Sequence, residues 1–135
     1  MRFTISICAI ALGASPVYTQ ATAGIVGVWR GTSTCVDLVH SPACKNEVAL
    51  YTVRARGTAR DTVTLKAEKI VNGQPELISE DDFVRQADGS WMTEIRAPRG
   101  LVRIVLHQSG DHMTGVLMDA SANRKVRDIV LERPR

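Results

Sequence analysis

The chain has 135 residues, of which 44% are hydrophobic and only 4% are aromatic. It carries 17 Lys and Arg residues against 14 Asp and Glu residues, which gives a formal net charge of +3. Basic and acidic side chains are interspersed, and a weak, evenly mixed charge argues against a dedicated nucleic-acid surface.

The first 23 residues have the pattern of a secretory signal peptide. Arg2 forms a short positive region, residues 3–14 form an apolar stretch, and Ala21-Thr22-Ala23 offers small side chains for cleavage. The apolar stretch is too short to cross a bilayer as a helix, which needs about 20 residues, so we expect no stable membrane anchor. We expect cleavage after Ala23, a periplasmic or secreted location, and a single mature domain over residues 24–135.

Two cysteines remain in the mature chain. Cys35 and Cys44 enclose eight residues that include Pro42, which suits a surface loop. Because an exported protein meets an oxidising compartment, we expect the two cysteines to form a disulfide. The alternative is a metal site built from the two thiols and His40, but structural zinc usually needs four ligands at closer cysteine spacing. We therefore predict no metal site.

Short β-branched segments, separated by Gly, Pro, Asn or Asp, dominate the mature chain, and none shows a helical period. Eight segments are predicted as strands: 25–36, 47–56, 61–71, 76–84, 90–97, 101–108, 112–119 and 124–133. Asn72-Gly73 is a strong signal for a two-residue hairpin turn, because both residues tolerate positive φ. Asp88-Gly89 and Pro98-Arg99-Gly100 are further predicted turns.

Eight strands joined by short turns predict an all-β fold, an eight-stranded antiparallel up-and-down β-barrel. A sheet of eight strands can close on itself and remove both edges. A β-sandwich of the same strands is the main alternative, but no long crossover connection of the Greek-key kind is visible. The barrel is therefore the preferred architecture.

The first predicted strand contains Gly27-Val28-Trp29. This Gly-x-Trp pattern, in an exported eight-strand chain, resembles the signature of the lipocalins and the wider calycin group. The resemblance implies a calycin-like barrel with Trp29 inside its closed end and a basic residue of the last strand packed across the indole. Arg127 is the best match for that residue, and Arg124 is the second choice. A guanidinium there is attracted to the indole by cation–π interaction and can donate hydrogen bonds to backbone carbonyls at the open strand ends.

The chain is also similar to the small periplasmic inhibitors of secreted bacterial metalloproteases. These are eight-strand calycin-type barrels with an early Trp and a disulfide in the N-terminal half. In that family the mature N-terminus enters the protease cleft, so the resemblance implies that Gly24-Ile25 would be the inserted residues. The tether between Gly24 and the first predicted strand is short, and the inhibitor role is therefore the alternative.

Three groups of polar residues are candidates for a site. His107 and His112 flank a four-residue turn and are expected to face each other across a hairpin, but two ligands are too few for a zinc site. The acidic cluster Glu80-Asp81-Asp82 could bind a cation or contribute to a glycosidase-like pair, and a solvated strand edge is the simpler interpretation. A loose basic surface surrounds the second hairpin: Arg54, Arg56, Arg60, Lys66 and Lys69.

The later strands carry flexible apolar side chains, namely Met92, Met113, Leu117 and Met118. Such side chains either fill an irregular core or line an adaptable pocket. The sequence contains neither a Gly-x-Ser-x-Gly motif nor a Gly-rich phosphate loop. We therefore expect no catalytic residues, no cofactor and no enzyme. The expected function is binding of a small apolar or amphipathic ligand, or of a protein partner, at the barrel mouth opposite Trp29.

Overall fold

The computed structural model describes residues 24–135, so the predicted signal peptide and its cleavage site lie outside the described residues. Eight strands make up the fold: β1 Gly27–Cys35, β2 Glu47–Ala55, β3 Thr62–Val71, β4 Gln74–Arg85, β5 Trp91–Ala97, β6 Gly100–Ser109, β7 His112–Asp119 and β8 Arg124–Glu132. The predicted strands are confirmed, each within two residues at either end. No helix long and apolar enough to cross a membrane occurs in residues 24–135.

The strands form one closed antiparallel barrel in which each strand pairs with the next and β1 pairs with β8. This connectivity confirms the up-and-down barrel. The predicted hairpin turn is present between β3 and β4, where Asn72 and Gly73 have φ values of 50° and 79°. Because both residues tolerate a positive φ, two residues are enough to reverse the chain.

Side chains alternate between the inside and the outside of the barrel, as the two-residue period of a strand requires. The inward side chains form the core: Ile25, Trp29, Ala49, Tyr51, Val53, Val63, Leu65, Ala67, Phe83, Trp91, Leu106, Met113, Ile129 and Leu131. Trp29 and Phe83 are the largest fully buried side chains. Burying a side chain of this kind contributes about 2–3 kcal/mol, and the filled interior is therefore the main source of stability.

The barrel end at which β1 begins and β8 ends is called the Trp29 end. There the Trp29 indole nitrogen donates a 2.8 Å hydrogen bond to the Ile25 carbonyl. The Arg133 guanidinium lies over the indole ring, 4.2 Å from its centroid. Arg133 also donates to the Val26 carbonyl at 3.0 Å and to the Gly24 carbonyl. One guanidinium thus covers the indole and satisfies two carbonyls that have no strand partner.

The prediction that Arg127 packs across Trp29 is wrong, because the register of β1 and β8 puts Arg127 elsewhere. In this antiparallel pair Arg30 faces Glu132, so the residue beside Trp29 comes from the very end of β8. Arg127 faces Cys35, about 20 Å along β1 at roughly 3.4 Å per residue. The second choice, Arg124, lies further still from Trp29, at the start of β8.

Gly27 makes room for Arg133. Its φ is +133°, and a Cβ atom added there would lie 2.6 Å from the Arg133 Nη1 atom. An L-residue with a side chain rarely adopts this φ, and its methyl group would collide with the guanidinium. The Gly-x-Trp pattern therefore has a physical reason in this chain: the Trp supplies the ring, and the Gly leaves space for the cation that covers it.

One seam of the barrel is much shorter than the others. β4 and β5 share only two residue pairs, Val84 with Met92 and Arg85 with Trp91. Every other neighbouring pair shares six or more. The barrel is therefore closed by hydrogen bonds all round only at the Trp29 end, and β4 and β5 separate towards the opposite end.

The predicted disulfide is confirmed. Cys35 and Cys44 are bonded, with their Cα atoms 6.1 Å apart, and they close the loop between β1 and β2. The loop is also hydrogen-bonded internally, since the Cys44 amide donates to the Ser41 carbonyl and the Cys35 amide donates to Asn46 Oδ1. The longest connection of the barrel is thus a fixed structure.

The Trp29 end allows a double-mutant test. We expect Arg133→Ala to lower the free energy of unfolding by about 3 kcal/mol, because two carbonyls and the indole lose their partner. Gly27→Ala should cost about 2–3 kcal/mol, from backbone strain and from displacement of Arg133. In the double variant the collision is absent, so the combined loss should be at least about 1 kcal/mol smaller than the sum. Urea unfolding measures all three, and strictly additive losses would contradict the proposed contact between the two positions.

Removing the disulfide should weaken the fold without abolishing it. Closing a loop of this length stabilises a chain by about 2.5 kcal/mol, so the double variant Cys35→Ser and Cys44→Ser should lose that amount in urea unfolding. Reduced wild-type protein is the matched control and should show the same loss. An unchanged urea midpoint in both samples would exclude this contribution.

Candidate functional site

The two ends of the barrel differ in how they are filled. The Trp29 end is packed with large side chains that have no solvent exposure. The other end, called the disulfide end, carries the Cys35–Cys44 loop and the turns that join β3 to β4, β5 to β6 and β7 to β8. Space for a ligand is therefore expected at the disulfide end.

A pocket of about 330 Å³ lies at the disulfide end. Its apolar surface comes from half-buried side chains of four strands: Ala97, Leu101, Val102, Leu117 and Val126. Its polar side chains come from the disulfide loop, the β5–β6 turn and the end of β7: His40, Ser41, Arg99 and Asp119. An apolar wall with a few polar groups on one side is the usual composition of a small-ligand site, and the volume is at the lower end of the usual range.

The disulfide loop is tied to the β7–β8 turn by a chain of charged groups. Asp37 accepts a 3.1 Å hydrogen bond from the His40 backbone amide, and its Oδ2 lies 2.9 Å from His40 Nδ1. Arg124 lies between Asp37 and Asp119, at 3.8 Å and 3.7 Å. The hydrogen bond from the His40 amide is the largest influence that lowers the pKa of Asp37. These contacts hold His40 and Ser41 beside the pocket.

Arg99 differs from the other charged groups of the pocket. It is exposed on the β5–β6 turn, and it makes no hydrogen bond or ion pair with any residue of the described range 24–135. Asp119, by contrast, interacts with Arg124 and accepts a 3.1 Å hydrogen bond from the Ala122 amide. Of the charged pocket groups in the described part of the chain, the one without a partner is therefore positive.

Arg127 belongs to a separate polar cluster inside the barrel. Its guanidinium donates to the Ser33 carbonyl and hydroxyl and to Glu47, each at 3.3 Å. The Arg127 and Glu47 side chains are only 14% and 21% exposed. Burial raises the pKa of the neighbouring Tyr51 to about 12, and the Glu47 carboxylate adds to this shift. The cluster forms the polar boundary between the packed core and the disulfide end.

Two residues of the acidic cluster, Glu80 and Asp82, form ion pairs with the basic surface. Glu80 pairs with Arg54, and Asp82 pairs with Arg56 at 2.8 Å. Asp82 also accepts a 2.9 Å hydrogen bond from the Thr64 hydroxyl. These two ion pairs are exposed and contribute little stability. Lys66 and Lys69 pair with other carboxylates, those of Glu68 and Glu76.

The two histidines do not face each other as predicted. His107 lies opposite Thr114, and His112 lies opposite Ser109, so the imidazoles are on a diagonal of the β6–β7 hairpin. Both are exposed, and His112 Nδ1 lies 3.3 Å from a Glu132 carboxylate oxygen. Within residues 24–135 no group of three or more His, Cys, Asp or Glu side chains is arranged to hold a metal ion.

The flexible apolar residues divide between the core and the pocket. Met113 is fully buried in the core, whereas Leu117 lines the pocket. Met92 and Met118 are half-buried and lie outside both sets. Sequence reasoning identified 98–100 as a turn but missed Arg99 as a site residue. The sequence feature that could have indicated Arg99 is a basic residue in a predicted turn at the barrel end opposite Trp29.

Comparison with known proteins adds no assignment: no family model matches the chain, and no curated protein is significantly similar to it in sequence. The closed eight-stranded antiparallel barrel is compatible with a calycin-like fold. Any function must therefore be argued from the pocket and its side chains.

The pKa of Tyr51 provides a test of the interior cluster. Burial favours the neutral phenol, so its folded-state pKa of about 12 exceeds the ordinary value of 10.0. The resulting stabilisation, about 3 kcal/mol, is fully present below pH 10 and should be lost as the pH rises towards 12. Phenolate absorbance should follow this transition, and Tyr51→Phe should remove that part of the alkaline loss of stability. Titration of the folded protein near pH 10 would contradict the burial of this group.

Proposed function

We propose that this chain is an exported, non-enzymatic, lipocalin-like barrel that binds a small ligand with an apolar part in the pocket at the disulfide end. The observation that carries the proposal is the 330 Å³ pocket with five apolar side chains on its wall. At roughly 30 Å³ for a water-sized group, this volume holds about eleven such groups. The ligand is accordingly small, with a chain of medium length or a single ring.

The unequal filling of the two ends supports this location. At the Trp29 end the interior is filled by buried side chains, of which Trp29 and Phe83 are the largest. The apolar side chains that line the pocket are only half-buried, so a ligand would remove further apolar surface from water. Each buried methylene contributes about 0.8 kcal/mol, which favours an apolar ligand at this end.

Two features support export. The Cys35–Cys44 disulfide is of a kind that persists in the periplasm or outside the cell, where thiols are not kept reduced. The first 23 residues have the composition of a signal peptide. Gly27, Trp29 and a covering Arg133 support the lipocalin-like part of the proposal, with Arg133 in the role that the sequence pattern predicted for Arg127.

The geometry of residues 24–26 favours ligand binding over the protease-inhibitor alternative. That alternative needs Gly24-Ile25 to reach out into a protease cleft. Ile25 is only 1% exposed, and its carbonyl accepts the hydrogen bond of the Trp29 indole. The carbonyls of Gly24 and Val26 are both held by Arg133. Insertion would require all of these contacts to break.

Ligand binding can be tested with 1-octanol, a neutral probe of suitable size. Isothermal titration calorimetry should give a Kd on the order of 100 µM. Ala97→Trp places an indole in the pocket and should abolish this binding. Val130→Trp is the matched control, because Val130 is 52% exposed on the outer wall of β8, and it should bind octanol like the wild type.

Native mass spectrometry of protein purified from its own host complements the calorimetry. A retained small molecule that is absent from Ala97→Trp would support the proposal. If octanol binds neither protein, and the purified protein carries only a second polypeptide, the small-ligand proposal fails and a protein-facing role replaces it.

A further inference from the structure

Arg99 stands at the pocket with its charge unpaired. It lies in the turn between β5 and β6, directly before Gly100, and it lines the pocket together with Leu101 and Val102 of the same hairpin. Within residues 24–135 it has no acidic partner and no hydrogen-bond acceptor. A guanidinium presents five donors in a planar fork that matches a carboxylate, so its binding capacity is free for a ligand.

The carboxylates near the pocket are already satisfied. Asp119 interacts with Arg124 and accepts a hydrogen bond from the Ala122 amide. Asp37 accepts from the His40 amide and also lies 3.8 Å from Arg124. A cationic ligand would have to compete with these internal partners, whereas an anionic group at Arg99 displaces only water. The charge pattern therefore discriminates between the two signs of ligand.

We propose that the ligand of this pocket is an amphipathic carboxylate. Its carboxylate pairs with Arg99 at the rim, and its apolar chain lies against Leu101, Val102 and Leu117. A single unpaired guanidinium balances a single negative charge, which favours a monocarboxylate over a doubly charged group. This assignment rests on the proposed function and makes Arg99 the residue that determines the polarity of the head group.

The test compares three probes that share one alkyl chain: octanoate, 1-octanol and octylammonium. Calorimetry at low ionic strength should rank octanoate first, and the advantage should shrink with added salt because the pair is partly exposed. Arg99→Gln should weaken octanoate binding about five- to tenfold and leave octanol binding unchanged. Arg99 is exposed in a turn, so this variant should keep the wild-type unfolding curve.

Arg96→Gln is the matched control. Arg96 is an exposed residue of β5 in the same hairpin, it does not line the pocket, and it makes no ion pair within the described residues. The substitution removes the same charge from the protein, so a general electrostatic effect would weaken octanoate binding equally in both variants. Octanoate should bind Arg96→Gln like the wild type.

The outcomes separate this inference from the proposed function. Equal binding of octanol and octanoate to the wild type, or equal losses in the Arg99 and Arg96 variants, would overturn the carboxylate assignment and leave the pocket as a binding site. Preference for octylammonium would also overturn it. If none of the three probes binds, both the assignment and the proposed function fail.

Discussion

The structure depends on how the residues before β1 cross the Trp29 end. Residues 24–26 lie outside the barrel's hydrogen-bond ladder, so their carbonyls need donors from elsewhere. Arg133 supplies these donors and places its flat face on Trp29, while the indole itself donates to Ile25. The segment before β1 and the residue after β8 are thereby held together. This contact closes one end of the barrel, and the pocket lies at the other end.

The disulfide end is organised by different forces. Its longest loop is held by the bond between Cys35 and Cys44 and by the position of Arg124 between Asp37 and Asp119. These constraints keep the loop next to the pocket and use up the nearby carboxylates. An apolar wall remains available, together with Arg99, whose guanidinium has no partner among the described residues. The selectivity proposed for the site thus follows from which charges the fold has already neutralised.

The sequence predicted what depends on local pattern. Alternation and turn residues such as Asn72-Gly73 predicted the strands, and the disulfide was predicted from two cysteines in a chain that is expected to be exported. The pairing across strands could not be predicted in this way. Arg127 in β8 and Arg133 directly after β8 are six residues apart and would point to the same side of an extended chain, so only the register with β1 shows which one reaches Trp29. For the same reason the ion pairs of Glu80 and Asp82 with Arg54 and Arg56, and the pocket beside Arg99, depend on distant contacts that local pattern does not contain.

The short seam between β4 and β5 has a consequence for the order of the chain. If the short β4–β5 seam is treated as the opening of the barrel, the sheet begins at β5, runs to β8, continues from β8 to β1, and ends at β4. The two edges of the rolled sheet therefore meet in the middle of the sequence, whereas the two ends of the described range 24–135 meet where β8 pairs with β1, and there Arg133 contacts Gly24. A circular permutant could be opened in the 86–90 connection, with the segment after β8 joined to the segment before β1 at the Trp29 end. In this permutant the order of the strands in the sequence would match their order in the sheet. Every long ladder of the barrel would be preserved in such a chain, which makes the β4–β5 connection the natural place at which this fold accepts new termini or an inserted segment.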